Sequence, residues 1–253
     1  MQALLERNDV DLNKTDVDDR TPLLWAAYFG REGVVAILLG RSEVDTNATC
    51  SEGRTPLSWA ALNGHKGVVK ILLGRDDVDP NKPDLLGRTP LWWAAFGRHE
   101  GAVKILLGRD DVNPDKPCND GRTPLWWAAS RGWRGVVKLL LGRNDINPDK
   151  PDSDSETPLL QAASNGRSEV VEMLLKRDGV NPDKPDRSGR TPLSRAAEHG
   201  HEGVAKLLLG RSDVDPDMPD VDGHPPLWWA TENGQAGVIA LLQPQSFSTN
   251  DAA

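Results

Sequence analysis

The chain of 253 residues is long enough to bury a sizeable core, and its formal charge of −8 opposes the field by which nucleic acid or an anionic membrane would be held. Neither is an expected partner. Nine tryptophans stand against three phenylalanines and one tyrosine, a skew that arises when a few positions are copied many times, so repeats are the first thing to seek.

No apolar run of about 20 residues is present to cross a bilayer, and the opening from Met1 to Lys14 is too charged for a secretory signal. An intracellular, cytoplasmic protein is expected. Cys50 and Cys118 fit a reducing compartment, being too few for a disulfide framework or a cysteine zinc site.

In chain order, residues 1–20 come first. Gln2 to Asp11 matches the end of a helix and its loop in later copies, so this stretch reads as a partial repeat, cut from a longer protein whose effector portion lies upstream. Thr-Pro-Leu then begins at Thr21, Thr55, Thr89, Thr123, Thr157 and Thr191, and Pro-Pro-Leu at Pro225, always 34 residues apart. Residues 21–224 thus hold six full units, 225–245 a C-terminal capping repeat, and 246–253 a polar tail expected to be disordered. No linker interrupts the period.

Within a unit, Thr offers an N-cap hydroxyl and the next Pro fits the first helical position, where no N–H is required. Leu23, Ala26 and Ala27 make the apolar stripe of a short first helix, which Gly30 closes in the left-handed conformation. Val34 to Leu39 begin a second apolar helix, and pairs such as Gly74-Arg75 put a permissive residue and a cation at its end. Asp79 to Gly87, with Pro80 and Pro83, cannot continue a helix and reads as an extended hairpin loop. One such unit cannot bury its apolar face alone, so neighbours must stack. The expected fold is an all-α repeat solenoid of helix-turn-helix units joined by extended hairpin loops.

The pattern T-P-L-x-x-A-A-x-x-G-x-x-x-V-V-x-x-L-L followed by D-V-N is similar to the ankyrin repeat and recurs over essentially the whole chain. It departs from the family where the usual His-Leu after Thr-Pro-Leu is replaced by Leu24-Trp25, Ser58-Trp59, Trp92-Trp93 or Trp126-Trp127, and in a unit of 34 residues. The N-P-D-K-P-D loop resembles arrays of fungal multidomain or receptor-type proteins. The resemblance implies that partners are held in a concave groove lined by the first helices and the hairpin tips.

Columns that recur are most simply structural, so function is sought where copies differ. Near the end of each first helix the chain has Tyr28-Phe29, Leu62-Asn63, Phe96-Gly97, Ser130-Arg131, Ser164-Asn165, Glu198-His199 and Glu232-Asn233. At about 100° per residue, Trp25 falls about 200° from Leu23, with Tyr28 and Phe29 to either side, so these columns face away from the core. Candidate partner-binding residues are therefore Trp25, Tyr28, Phe29, Trp59, Leu62, Asn63, Trp93, Phe96, Trp127, Ser130, Arg131, Gln161, Asn165, Arg195, Glu198, His199 and Trp229. Packing against neighbouring repeats is an equal alternative for the Trp column, and the natural one for Trp92, Trp126 and Trp228 at the helix edge.

Other clusters read as structure. Arg20, Arg54, Arg88, Arg122 and Arg190 are expected to pair with hairpin aspartates on a solvated edge. The Asp-rich stretch from Asp213 to Gly223 lacks the Gly and Glu of a calcium loop. His65, His99 and His201 recur one period or more apart and cannot converge on one metal. No nucleophile elbow, P-loop or dinucleotide fingerprint is present. The expected function is a non-catalytic, monomeric protein-protein interaction module without cofactor or metal. The alternatives are a scaffold with a packing-only Trp column, or an aromatic groove for a small molecule or carbohydrate.

Overall fold

The computed structural model describes residues 11–243. The polar tail and the first ten residues of the partial repeat lie outside the described residues. Fourteen helices and no strand occur among those described. In pairs they are α1 (Pro22–Tyr28) with α2 (Glu32–Leu39), α3 (Pro56–Leu62) with α4 (Lys66–Leu73), and α5 (Pro90–Phe96) with α6 (Glu100–Leu107). Next come α7 (Pro124–Arg131) with α8 (Arg134–Leu141), and α9 (Pro158–Ser164) with α10 (Ser168–Leu175). The last pairs are α11 (Pro192–Glu198) with α12 (Glu202–Leu209), and α13 (Pro226–Glu232) with α14 (Ala236–Leu242). The fold is an all-α repeat solenoid. By contacts the chain forms two compact units, Met1–Ala128 with Gly135–Ile146, and Ala129–Arg134 with Asn147–Ala253.

Each first helix starts as its sequence dictates. The Thr55 hydroxyl accepts the Ser58 N–H at 3.1 Å, and the Thr at every other Thr-Pro-Leu does the same for its own helix. Pro225 has no side-chain cap bond. The turn after α1 needs Gly30 twice over: its φ is 67°, and a Cβ there would sit 2.6 Å from the His65 ring of the next repeat. The second-helix ends are built otherwise, since Gly74 keeps an ordinary φ of −74° and its permissiveness is not used. Its neighbour Arg75 is the working residue, donating to the Leu39 carbonyl of the preceding repeat at 2.6 Å while also pairing with Asp77. That pairing holds the Asp77 carboxyl below its usual range. Arg109 and Arg143 treat Leu73 and Leu107 alike in the first unit, as Arg211 treats Leu175 in the second. In each unit, successive first helices and successive second helices lie side by side. Leu72 and Leu106 between them are fully buried.

A second tie joins repeats at the start of the second helices. The Nε2 atoms of His65 and His99 bond the Tyr28 and Leu62 carbonyls at 3.0 and 2.9 Å. In the second unit Arg167, His201 and Gln235 reach the carbonyls of Ser130, Ser164 and Glu198. The column therefore requires a donor rather than an imidazole. Burial, against the Ser164 bond and helped by the nearby charges of His199 and Arg167, pushes the His201 ring below its usual pKa. The unfolded chain therefore takes up the proton first, and stability is lost as pH falls through the unfolded value of about 6.5. His201→Gln, which copies Gln235, should flatten that dependence. The check is the urea midpoint at about pH 7.5 and about pH 5.5; equal pH dependence in parent and variant would refute it.

Candidate functional site

The site is built on a hairpin turn that each repeat closes with the same backbone bond. In the third, the Asp84 N–H donates to the Arg88 carbonyl at 3.0 Å, and Asp84 Oδ1 accepts the N–H groups of Leu86 and Arg88 at 2.9 Å each. Asp84 Oδ2 accepts from Arg88 Nε at 2.9 Å and from the Trp93 ring N–H at 3.2 Å. The Arg88 guanidinium lies over the Trp93 ring at 4.2 Å, and Arg54 sits against both Trp59 and Trp93 at 4.5 and 4.4 Å. Trp25 and Trp229 likewise donate to Asp16 and Asp220. Burial raises the Asp220 pKa, but the His224, Trp229 and Asp222 donors outweigh it, so the carboxyl titrates below its usual range. Where Trp is replaced, Arg195 keeps the pairing with its hairpin aspartate, Asp186, whereas Gln161 donates instead to Glu156, the residue that stands in the arginine column, at 2.7 Å.

This lattice corrects the helical wheel. Trp59 and Trp93 are only 7% and 4% exposed, so they are not open groove surface. A wheel places a residue relative to its own helix; here the hairpin folds over the face turned away from the core, and arginines cover the rings. The arginine column is also corrected: Arg20 and Arg88 pair with hairpin aspartates as expected, but Arg54 pairs with Glu52 and Arg190 with Glu198, and all four lie along indole faces instead of on a solvated edge. Trp25, Trp127, Gln161, Arg195 and Trp229 are half-buried in the same row. Cys50 and Cys118 occupy the aspartate column and are buried free thiols.

The variable columns stay open. Tyr28, Phe29, Asn63, Phe96, Arg131, Asn165 and His199 are exposed, with Leu62, Ser130 and Glu198 half-buried. In the first unit their character is aromatic: Phe29 stacks on Trp25 at 5.5 Å, Tyr28 meets Trp59 edge-on at 5.0 Å, and Phe96 meets Trp127 edge-on at 5.6 Å. In the second unit it is polar. Glu198 takes Arg190 at 3.1 Å and Arg195 at 3.3 Å, and the Asn165 amide donates to Gln161 and Ser130. Trp92 and Trp126, read as packing, are buried.

One acidic group lies outside that row of candidates. Ligand atoms of Asp220, Asp222 and His224 come within 4.8 Å of one another. Both Asp220 oxygens already accept hydrogen bonds, and the His224 ring stacks on Trp228 at 3.8 Å, so these residues are explained as a hairpin closure. No described helix is long and apolar enough to cross a membrane.

Paired helices and hairpins tied from repeat to repeat define a helical repeat protein. The chain belongs to the ankyrin repeat family: the family described as "Ankyrin repeats (3 copies)" matches residues 1–84, 76–152, 103–186, 133–220 and 159–252. Ankyrin repeats are protein-protein interaction modules and typically non-catalytic. The fold is similar to the human ASB11 ankyrin repeat domain, at 26% identity and TM-score 0.74, covering 89% of this chain and 99% of that one. It is also similar to the ankyrin repeat protein EF0377, at 26% identity and TM-score 0.69, covering 74% and 96%. No curated protein matches the chain.

Proposed function

We propose that the chain is a non-catalytic, cytoplasmic recognition module that holds a protein or peptide on the open row at the ends of its first helices. One contrast carries this reading. The repeated polar groups of the hairpins are consumed in internal bonds, whereas the residues that differ between repeats, among them Phe29, Phe96, Arg131 and His199, are the ones left exposed. Exposed aromatics of low conformational freedom are effective binding anchors. A packing-only role accounts for Trp59 and Trp93 but not for Phe29, which is 54% exposed.

The test is cross-linked affinity capture from the native extract, comparing the parent with a Phe29→Ser, Phe96→Ser, Arg131→Ala variant of unchanged circular dichroism. A partner captured by the parent and lost by the variant supports the reading. Equal capture by both, or capture by neither, sinks it.

A further inference from the structure

In the first unit the outer tip residues of successive hairpins are Asp18, Glu52, Leu86 and Asp120, so an apolar side chain stands where the neighbouring copies carry acids. Leu86 and its neighbour Leu85 are exposed. Leu86 borders a cavity of about 290 Å³ that is also lined by Trp92, Phe96, Cys118, Asp120 and Trp127. Trp92 is buried, yet its ring N–H, a donor only, meets no acceptor among the described residues.

We propose that this cavity receives a large aromatic side chain of an extended partner peptide that carries Lys or Arg about three residues to either side. This rests on the partner-binding reading and gives it a partner chemistry. The cavity lies at the lower limit of small-molecule sites, about 300–1,000 Å³, and suits a single large side chain. The aromatic walls of Phe96 and Trp127 offer ring faces and edges to such a side chain. The flanking charge follows from how each hairpin pairs its ions: the Arg54 side chain is 14% exposed and its partner Glu52 49%, because the arginine is sunk against indole rings while the acid faces out. Arg20 and Asp18 differ in the same sense. Adjoining tips are joined by backbone bonds, Leu85 N–H to the Glu52 carbonyl at 3.2 Å and Asn119 N–H to the Leu86 carbonyl at 2.9 Å. At a repeat spacing of about 10 Å and about 3.3 Å per extended residue, a basic residue three places from the anchor reaches Glu52 on one side and Asp120 on the other.

The test uses the full chain and three labelled peptides in fluorescence polarisation: Lys-Ser-Ser-Tyr-Ser-Ser-Lys, the same with a central Ala, and the same with Glu at both ends. The first should bind at least tenfold more tightly than either control. Leu86→Asn should weaken it about tenfold, and Asp120→Lys should weaken it while strengthening the Glu-ended peptide, both variants keeping the parent circular dichroism. Three results would overturn the proposal: equal binding of the Ala peptide, indifference to Leu86→Asn, or a parent dimer in sedimentation that Leu86→Asn abolishes. A partner captured as above but retained by Leu86→Asn and Asp120→Lys leaves the recognition face standing and removes this cavity as its seat.

Discussion

Trp93→Ala is expected to lower the free energy of unfolding by about 3–5 kcal/mol, the range for emptying a buried aromatic position. The ring is buried, donates to Asp84, and lies against the guanidinium groups of both Arg54 and Arg88, so deletion leaves a void and uncovers two cations. Urea unfolding of parent and variant, followed by far-ultraviolet circular dichroism, measures the change. A loss below about 1 kcal/mol would mean that the ring is surface after all. Because repeats interact mainly with their neighbours, the loss should appear as reduced hydrogen-exchange protection in α3 to α6 first.

Asp84→Ala should cost about 3 kcal/mol or more, since removing one member of a buried pair strands the other. Four groups donate to this carboxylate, namely the Leu86 and Arg88 N–H groups, Arg88 Nε and the Trp93 ring N–H. Asp120→Ala, on an exposed tip, is the control and should change stability by about 0.5 kcal/mol or less. Trp93→Ala and Asp84→Ala together should fall short of the sum of the two, because they share a bond. If Asp84→Ala proved as mild as Asp120→Ala, the carboxylate would be dispensable, as it is in the two repeats that carry Cys50 and Cys118 there.

What could be read from residues alone was what depends on near neighbours in the chain. Thr55, Pro56 and Gly64 act within one turn of helix, so capping, entry and exit were legible, and the constant period then required stacking. The fate of Trp93 depends on Asp84, nine residues earlier, and on Arg54 in the previous repeat. A helical wheel contains neither. The histidine column was visible but mute, because its partner is a backbone carbonyl 37 residues away and carries no side-chain signature. Gln235 and Arg167 in the same column were the available clue: three side chains with one shared ability, donating a hydrogen bond. The exposed ends of the first helices were legible through their variability, whereas the cavity beside Leu86 was not, since it arises where two hairpins and two helices meet.

The histidine and arginine ties between repeats reach back by one repeat, while Asn13, Asn47 and Asn81 reach forward to the Glu43, Asp77 and Asp111 carbonyls, and this bears on how such a gene can change length. Loss of the coding segment for Thr55 to Arg88 would bring His99 to the Tyr28 carbonyl in place of Leu62, and Arg109 to the Leu39 carbonyl in place of Leu73, so both of these donors stay matched, although Trp93 would meet Cys50 in place of Asp84. Recombination between copies in register therefore yields a shorter or longer protein with these backbone ties intact. What it alters is which exposed side chains become neighbours, so a lineage can sample new recognition faces by moving whole repeats while the scaffold beneath them stays the same.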